Sequence, residues 1–541
     1  MWRITVVRES DGAMELSTIS PTIVSGRVVT RTVIIGTGAL AAEQVVAIAR
    51  HDAPIEIDTA ARAAVTASRE TIELLASDVE PHYGISTGFG ALATTFIAED
   101  RRLQLQRSLV RSHAAGSGPE VERETVRALM ALRLSTLVTG RTGIRLGTAV
   151  AYADLLNAGI TPIVREYGSL GCSGDLAPLA HCALALMGEG TVRDRDGILM
   201  PAADALAAAG LTPVVLAEKE GLALINGTDG MLGQLVLALD DLGRLLRTAD
   251  LSAAMSVEAL LGTDAVFAED LAALRPQCGQ QVSAANLRHL LAGSPIVQSH
   301  KGPECTRVQD AYSLRCAPQV HGAARDTVDH AAMIAGRELA SAVDNPVVTL
   351  DGRVESNGNF HGAPVAYVLD FLAIVIADVA SMSERRTDRM LDPSRSQGLP
   401  AFLAFEVGVD SGLMIAQYTS AGIVSELKRL AAPASVDSIP SSAMQEDHVS
   451  MGWASARKLR SAIDGLTRVL AIEILTASRA LDLRVPLLPG RATGAALAEV
   501  RRDVAGPGPD RYLSPEIESV VEAVASGRIL AAVRTVIGDL A

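Results

Sequence analysis

Long stretches with apolar residues three and four positions apart restrict the fold of this 541-residue chain more than any other feature of its sequence. That spacing puts apolar side chains on one face of an α-helix, and it dominates the chain from about residue 59 onward. The clearest stretches are 60–79, 120–138, 230–261, 310–340, 361–391 and 446–481. Their lengths predict a mostly α-helical protein, an elongated bundle of long helices with a smaller mixed region at its N-terminus.

The composition supports a helical core and argues against several classes of protein. Aromatic residues make up only 3% of the chain, so Ala, Leu, Val and Ile must fill the core, which suits close packing of helices. A formal net charge of −14 argues against nucleic-acid binding, which needs a basic surface. Five scattered cysteines without a CxxC pair fit neither a disulfide framework nor a zinc ribbon, and we expect no metal site.

The cysteine pattern and the apolar segments also bear on location. The most apolar stretch, 365–380, is interrupted by Asp370 and Asp378, which predicts a buried helix rather than a membrane span. The first residues lack the long apolar core of a signal peptide. These observations favour a cytoplasmic protein without a membrane partner.

Residues 33–41 have the pattern of a strand, a GxGxxA turn and a helix, and Glu56 and Asp58 follow about twenty residues later, where a dinucleotide fold has a ribose-binding acid. Such a fold needs further βαβ units, whereas long helical stretches follow Asp58. We therefore interpret the segment as a short hairpin, or a strand leading into a capped helix, with nucleotide binding as the less favoured alternative.

The segment 167–179, YGSLGCSGDLAPL, carries the most chemical information in the chain. Its small residues permit a tight turn, and Asp175 with Pro178 suits the start of a helix. Local physics alone indicates a loop with a helix cap. A serine nucleophile is disfavoured because the G-x-S-x-G pattern is incomplete, and a phosphate loop because Gly-Lys-Ser and Gly-Lys-Thr are absent.

Residues 168–181 resemble the signature of the aromatic amino acid lyase and mutase family. The resemblance extends over nearly the whole chain from about Val33, and six further motifs agree with it in order. They are HYGISTGFG at 82–90, RSHAAG at 111–116, KEGLALINGT at 219–228, VQDAYSLRC at 308–316, GNFHG at 358–362 and MQEDHVSM at 444–451.

The resemblance implies an electrophilic prosthetic group that the chain forms by itself, with no exogenous cofactor. In this family 4-methylidene-imidazole-5-one (MIO) arises from Ala-Ser-Gly with the loss of two waters. Here Cys172, Ser173 and Gly174 would form it. Cys172 replaces the usual alanine and should be tolerated, because the first side chain takes no part in ring closure. The group would bind the substrate amine and so make nitrogen a better leaving group.

Tyr83 is the general base that the resemblance implies, taking the β-proton of the substrate. A free tyrosine has a pKa near 10, so ionisation near pH 7 requires a decrease of about three units. Helix N-termini and glycine-rich turns around the site are expected to supply part of that decrease. In isolation, Tyr83 would be a turn residue packed on a glycine-rich loop.

Gln309, Tyr312 and Arg315 lie at i, i+3 and i+6, so they would share a slowly rotating face if the segment is helical. On the residues alone this is an amphipathic helix with a solvated stripe. The resemblance implies that Arg315 binds the substrate carboxylate while Tyr312 and Gln309 line the prosthetic group. It also implies that Asn226 donates to the ring oxygen or the carboxylate, and that Phe360 packs beside the ring.

His113 and Glu446 resemble the histidine branch of the family, because the phenylalanine and tyrosine branches usually have an uncharged residue at the position of Glu446. An imidazole needs polar partners at its two nitrogens, and the same groups facing a phenyl ring would be left unpaired. Otherwise Glu446 would be an acid at a solvated helix start, and no metal-binding motif supports a site with His448.

The resemblance therefore implies elimination of ammonia from L-histidine to give trans-urocanate. The alternatives on the same scaffold are a tyrosine or phenylalanine ammonia-lyase and an aromatic aminomutase, and from another class a non-catalytic oligomeric binder. A homotetramer with sites shared between subunits is also implied. We expect inactive Tyr83→Phe and Ser173→Ala chains to restore some activity when mixed.

This interpretation divides the chain into two parts. Residues 1–31 are polar and irregular and form an N-terminal extension of uncertain structure. Residues 32–541 form the catalytic chain, with the part that bears the prosthetic group at about 32–230 and a helical bundle at about 231–541.

Overall fold

The computed structural model describes residues 22–24, 27–29, 31–302, 305 and 307–541. Apart from Arg31 and two short paired strands, the expected N-terminal extension lies outside the described residues. The described part is dominated by α-helices, which confirms the mostly helical fold class.

The strands are short, and most lie in the first 201 residues. They are β1 Thr22–Val24, β2 Arg27–Val29, β3 Val33–Ile35, β4 Ile55–Ile57, β5 Ser117–Glu120, β6 Thr161–Pro162, β7 Arg165–Tyr167, β8 Thr191–Arg193, β9 Leu199–Pro201, β10 Val347–Val348 and β11 Val354–Glu355. The pairs β1·β2, β5·β7 and β10·β11 are antiparallel, β6, β8 and β9 form an antiparallel three-stranded sheet, and β3 and β4 are parallel.

The α-helices occur in this order: α1 Ala42–His51, α2 Thr59–Ala76, α3 Arg102–His113, α4 Arg123–Leu137, α5 Leu146–Asn157, α6 Leu176–Leu186, α7 Ala202–Ala208, α8 Glu220–Ile225, α9 Asp229–Ala259, α10 Glu269–Ala273, α11 Cys278–Leu291, α12 Pro295–Gln298, α13 Tyr312–Arg315, α14 Ala317–Leu339, α15 Ala363–Leu391, α16 Met414–Leu430, α17 Gly452–Asp482, α18 Arg491–Val500, α19 Ser514–Ala525 and α20 Arg528–Ile537. Short 3₁₀ helices lie at Gly90–Leu92, Glu99–Arg101, Ala265–Phe267, Ala401–Leu403 and Ser442–Met444.

Three long helices, α9, α15 and α17, form the centre of the bundle, and α14 and α16 pack around them. Small buried residues such as Ala373 and Ala477 allow the helix axes to approach closely. The buried Glu473 of α17 accepts hydrogen bonds from Arg386 Nε of α15 at 2.5 Å and from Ser256 Oγ of α9 at 2.7 Å. One paired carboxylate thus joins all three helices.

The structure places α15 inside the bundle. The helix is long and apolar enough to cross a membrane by length and composition, but 61% of its most apolar window is buried against other parts of the protein. Asp370 lies within it and pairs with Lys458 Nζ of α17 at 2.5 Å. The packing accords with the predicted core helix.

The segment around Gly36 and Gly38 forms a βαβ unit, since β3 and β4 are parallel and α1 connects them. The hairpin that we expected as one possibility is therefore wrong, and the strand leading into a helix is correct. Within the described residues the β3·β4 sheet has only two strands. Asp58 caps α2 by accepting a hydrogen bond from Ala61 N at 2.6 Å, so this acid already has a structural role.

Helices α3, α6 and α8 pack together beside the bundle and carry the loops of the candidate site. The loop before α6 is attached to α8 by a bridge between Gly174 and Gly227. It is attached to the start of α17 by the hydrogen bond that Met451 N donates to Leu170 O at 2.9 Å. The helical bundle thereby fixes the position of this loop.

Candidate active site

A cavity of about 530 Å³ lies between α3, the 83–97 loop, the loop before α6 and the end of α8. Five of the residues singled out in the sequence line it together: Tyr83, His113, Ser173, Asn226 and Glu446. They come from four of the quoted motifs and from the signature segment, and they are distributed over more than 360 positions of the chain. The fold thus brings distant motifs to one space.

The loop that carries Ser173 makes a tight turn in which no side chain fits at the next position. Gly174 has a φ of +79°, and a Cβ there would overlap the carbonyl of Gly227. The Gly227 carbonyl also accepts a hydrogen bond from Asp175 N at 2.7 Å. A glycine is therefore required at position 174 both by its backbone angle and by the close approach of the neighbouring chain.

Asp175, at the start of α6, stabilises this turn through hydrogen bonds of its side chain. It is fully buried, and its carboxylate accepts hydrogen bonds from Ser169 Oγ at 2.9 Å and from Met231 N at 2.8 Å. Burial raises the pKa of Asp175 to about 7. The predicted helix start after Asp175 is correct, but its carboxylate serves the loop and the first turn of α9 rather than capping α6.

Ser173 faces the cavity and donates its hydroxyl to Glu446 Oε1 at 3.2 Å. Glu446 also accepts a hydrogen bond from Ser441 Oγ at 2.8 Å. The neighbouring Cys172 is buried, and burial, together with the carboxylate of Glu446, raises the pKa of its thiol to about 12. Cys172 is therefore an un-ionised thiol at neutral pH rather than a second nucleophile.

The orientation of His113 follows from its backbone contact. Its Nδ1 lies 2.9 Å from the carbonyl oxygen of Leu109, one turn earlier in α3. The hydroxyl of Ser112 lies 3.1 Å from the same nitrogen. When Nδ1 donates to the Leu109 carbonyl, the neutral ring leaves Nε2 as a hydrogen-bond acceptor. In that tautomer the cavity presents two acceptors, His113 Nε2 and the carboxylate of Glu446.

Tyr83 lines the cavity, but within this chain its environment does not favour ionisation. Burial raises the pKa of Tyr83, the hydrogen bond from Gly90 N at 3.3 Å lowers it, and the carboxylates of Glu446 and Asp344 raise it further. The expectation that glycine-rich turns lower this pKa is correct only for the Gly90 contact. Desolvation and two nearby negative charges outweigh that contact.

Asn226 ends α8 with its side chain in the cavity. It is 4% exposed, and its Oδ1 has no hydrogen-bond partner among the described residues. A buried amide oxygen without a partner is costly in a folded protein and marks a position where a ligand group is expected.

Four expected residues do not line this cavity: Gln309, Tyr312, Arg315 and Phe360. The expected single helix over 310–340 is wrong, because α13 covers only Tyr312–Arg315 and α14 begins at Ala317. Gln309 precedes α13, so the three residues do not share a helical face. Pro318 in the first turn of α14 explains the break, since its ring excludes a continuous helix through Cys316.

Tyr312 is 70% exposed, and the Arg315 guanidinium lies over its ring at 4.7 Å. Arg315 Nε is buried without a hydrogen-bond partner among the described residues. Phe360 is half-buried in the segment before α15. Tyr312 and Arg315 lie together, and the neighbouring Ser313 carbonyl accepts a hydrogen bond from Arg386 near the C-terminal end of α15, whereas Phe360 precedes the N-terminal end of that helix.

One face of α3 contributes cavity residues that the motifs alone did not single out. Leu105, Ser108, Leu109 and Ser112 all line the cavity and follow the i, i+3, i+4, i+7 spacing of one helical face. Counting back from the candidate His113 by four positions identifies only Leu109, so the sequence contained no sufficient signal for the other three.

Comparisons with known proteins agree with this arrangement. A family model described as aromatic amino acid lyase matches residues 40–502. The chain is 63% identical to a histidine ammonia-lyase of Streptomyces griseus over 94% of this chain and 100% of that protein, and 50% identical to one of Sorangium cellulosum over 91% and 97%.

Solved structures also match over nearly the full length. A tyrosine aminomutase of Streptomyces globisporus has a TM-score of 0.88 at 37% identity, covering 95% of this chain and 100% of that one. A histidine ammonia-lyase of Trypanosoma cruzi has a TM-score of 0.86 at 39% identity, covering 94% and 96%. With the cavity, the signature loop and the family model in agreement over most of its length, this chain belongs to the aromatic amino acid lyase family.

Proposed function

We propose that this protein is a cytoplasmic histidine ammonia-lyase that eliminates ammonia from L-histidine and releases trans-urocanate. The observation that carries the proposal is the pair of acceptors, His113 and Glu446, in the cavity that also contains Ser173. A neutral imidazole ring has one nitrogen-bound proton to donate to one of these acceptors, and an imidazolium ring has two, whereas a phenyl ring has none. The names of the relatives at 63% and 50% identity support the same substrate.

The residues of the loop fit the MIO group. Gly174 has no room for a side chain, and Ser173 and the side chain of Asn226 line the same cavity. Cys172, Ser173 and Gly174 would therefore form MIO, and when present the group supplies an electrophile for the substrate amine. Tyr83 would take the β-proton, and Asn226 would donate from its amide N–H₂ group to the ring oxygen or the carboxylate.

We further propose that a second copy of the chain completes the site. Gln309, Tyr312, Arg315 and Phe360 carry the remaining roles in the proposal but lie outside the cavity of their own chain. Arg315 would then bind the carboxylate of a substrate that lies in the cavity of a neighbouring copy.

An exposed apolar stripe on α15 supports association of copies into a homotetramer. Tyr367, Phe371 and Ile374 are spaced i, i+4 and i+7 and are 59%, 45% and 44% exposed. Such a row on one helical face is typical of an interface rather than of a free surface.

The shared site predicts which inactive chains complement each other. Mixing Ser173→Ala and Arg315→Ala chains should recover activity at about a quarter of the sites, because random assembly pairs an intact Ser173 with an intact Arg315 from another copy. The measurement is urocanate formation after confirmed subunit exchange.

A mixture of Ser173→Ala and Tyr83→Phe chains should stay inactive, because one chain supplies both residues to one cavity. From the sequence we expected this pair to restore some activity, and the placement of both residues in one cavity corrects that expectation. If neither mixture forms urocanate, sites shared between subunits are contradicted.

A second prediction addresses the substrate. Glu446→Gln should lower kcat/KM for L-histidine by roughly 10- to 100-fold, since a hydrogen bond to a charged group contributes about 1.5 to 3 kcal/mol. Asp447→Asn is the matched control, because this neighbouring carboxylate is exposed and does not line the cavity. The assay follows urocanate absorbance, with intact mass to establish that both variants have lost two waters. If Glu446→Gln retains the wild-type value, Glu446 does not recognise the imidazole.

The alternative to be tested is an aminomutase, because the tyrosine aminomutase fold matches this chain closely. A mutase returns ammonia to the β-carbon and yields a β-amino acid, whereas a lyase yields an unsaturated acid and free ammonia. Incubation with L-histidine, L-tyrosine and L-phenylalanine, followed by product identification, distinguishes them. We expect urocanate from L-histidine, and a β-amino acid as the main product would overturn the lyase assignment.

A further inference from the structure

Arg133 lies in the middle of α4 with no exposed surface, and its guanidinium joins two distant segments of the chain. Its Nη1 donates to the carbonyl oxygen of Asn226 at 2.6 Å, and its Nη2 donates to the carbonyl oxygen of Val343 at 2.8 Å. The carboxylate of Asp229 lies 3.3 Å from Nη1. Arg133 does not line the cavity itself.

The first of these segments determines where Asn226 and Ser173 lie. Asn226 places its side chain in the cavity, and the next carbonyl, that of Gly227, accepts the hydrogen bond from Asp175 N that fixes the Ser173 loop. A Cβ on Gly227 would overlap Arg133 Nη1, so the guanidinium is packed directly against this backbone. A shift of Arg133 would therefore move Asn226 and the loop together.

The second segment, which begins at Val343, contacts the residue that follows Tyr83. Val343 is followed by Asp344, Asn345 and Pro346, and the Pro346 ring lies 3.1 Å from the position that a Cβ on Gly84 would occupy. Gly84 directly follows Tyr83 in the chain. The Val343 carbonyl thus connects Arg133 to the support of Tyr83.

The charges around Arg133 are balanced and buried. Asp344 pairs with Lys219 Nζ at 2.6 Å, and both side chains have no exposed surface. Arg133 in turn lies beside Asp229, whose side chain is 6% exposed. An isolated charge here would be strongly destabilising, whereas two opposite pairs are tolerated. A lysine could keep the charge of Arg133, but only a planar guanidinium can donate to two divergent carbonyls in fixed geometry.

We propose that Arg133 is a positioning residue for the elimination reaction: its guanidinium holds the backbone at Asn226 and at Val343, so that Asn226, Ser173 and Tyr83 keep their mutual placement. This inference rests on the proposed function of these three residues. A purely structural buried arginine would affect folding in the same way but not the catalytic step of the folded enzyme.

The chain contains a matched control on the same helix. Arg127 is 1% exposed and donates to the carbonyl oxygens of Ile48 and Leu156, each at 3.1 Å. It also lies 3.0 Å from the carboxylate of Asp52. Arg127 therefore has the same burial and the same kinds of partner as Arg133, but its partners belong to α1, to the residue that follows α1 and to α5, and they do not line the cavity.

The experiment compares full-length Arg133→Lys and Arg127→Lys with the wild-type protein. The readouts are the unfolding temperature, the fraction of chains that has lost two waters, and kcat and KM for L-histidine per modified chain. We expect similar decreases in unfolding temperature. Arg127→Lys should keep kcat within about twofold, and Arg133→Lys should lose roughly 10- to 100-fold in kcat with a much smaller change in KM, because a misplacement of about 1 Å has effects of that size.

Equal kcat per modified chain in the two lysine variants would overturn the inference. If Arg133→Lys does not fold, the same comparison is made between Asp229→Asn and Asp52→Asn. Each of these substitutions removes the carboxylate beside one of the two arginines and keeps the shape of the side chain. We then expect a lower kcat only for Asp229→Asn, and equal values would again overturn the inference. Failure of the proposed function is separate, because wild-type protein would then leave L-histidine unchanged. The comparison would in that case use the amino acid that the wild-type protein consumes.

Discussion

Replacing Ser173 with alanine is expected to abolish the turnover of L-histidine, with a decrease in kcat of more than about 10³-fold, as when a residue central to covalent catalysis is removed. Ser173 is the cavity residue whose hydroxyl would leave as water during formation of MIO. Without that hydroxyl the electrophile cannot form, and ammonia must depart without covalent activation. Urocanate absorbance gives the rate, and the intact mass of the chain reports whether two waters have been lost.

Cys172→Ala is the matched control, because it changes the adjacent side chain of the same tripeptide. We expect this variant to lose two waters and to retain kcat within about threefold, since the Cys172 thiol is un-ionised at neutral pH and takes no part in ring closure. Ser173→Ala should show neither the mass change nor the activity. A Ser173→Ala protein that still produces urocanate at a substantial rate would remove MIO from the mechanism.

The hydrophobic spacing was sufficient to predict most of the helical bundle. The stretch 230–261 became α9, Asp229–Ala259, and the stretch 361–391 became α15, Ala363–Leu391. Long helices with a buried face are specified locally, since every turn repeats the same pattern. The stretch 446–481 was predicted less well, because α17 begins only at Gly452, after Met451 adopts a positive φ of 54°.

The sequence was sufficient to name several residues of the candidate site, but not to predict which of them lie together. Tyr83, His113, Ser173, Asn226 and Glu446 belong to motifs whose order says nothing about distance, and folding brings them to one cavity. The prediction of one helical face for Gln309, Tyr312 and Arg315 was wrong, because the hydrophobic spacing does not reveal the helix break that Pro318 imposes. The role of Arg133 gave no local signal, because a buried arginine on an apolar helix acquires its function only from the backbone carbonyls that tertiary packing brings to it.

Tyr83→Phe is expected to lower kcat by roughly 10²- to 10⁴-fold, the contribution of a positioned general base. The loss of two waters should be unaffected, because the phenol is not part of the Cys172-Ser173-Gly174 tripeptide. Tyr152→Phe is the control: Tyr152 is fully buried in α5 and does not line the cavity, so its removal tests the effect of losing a buried hydroxyl as such. We expect Tyr152→Phe to retain kcat within about threefold.

The pH dependence of Tyr83→Phe tests the same role independently. Burial and the carboxylates of Glu446 and Asp344 raise the pKa of Tyr83, so the basic phenolate is the minor form at neutral pH. While the pH lies below this pKa, the phenolate population increases about tenfold for each unit by which the pH rises, so kcat of the wild-type protein at saturating L-histidine should rise toward alkaline pH. Tyr83→Phe should lose this rise while Tyr152→Phe keeps it. If the alkaline rise persists unchanged in Tyr83→Phe, another group removes the β-proton, and Tyr83 only shapes the cavity.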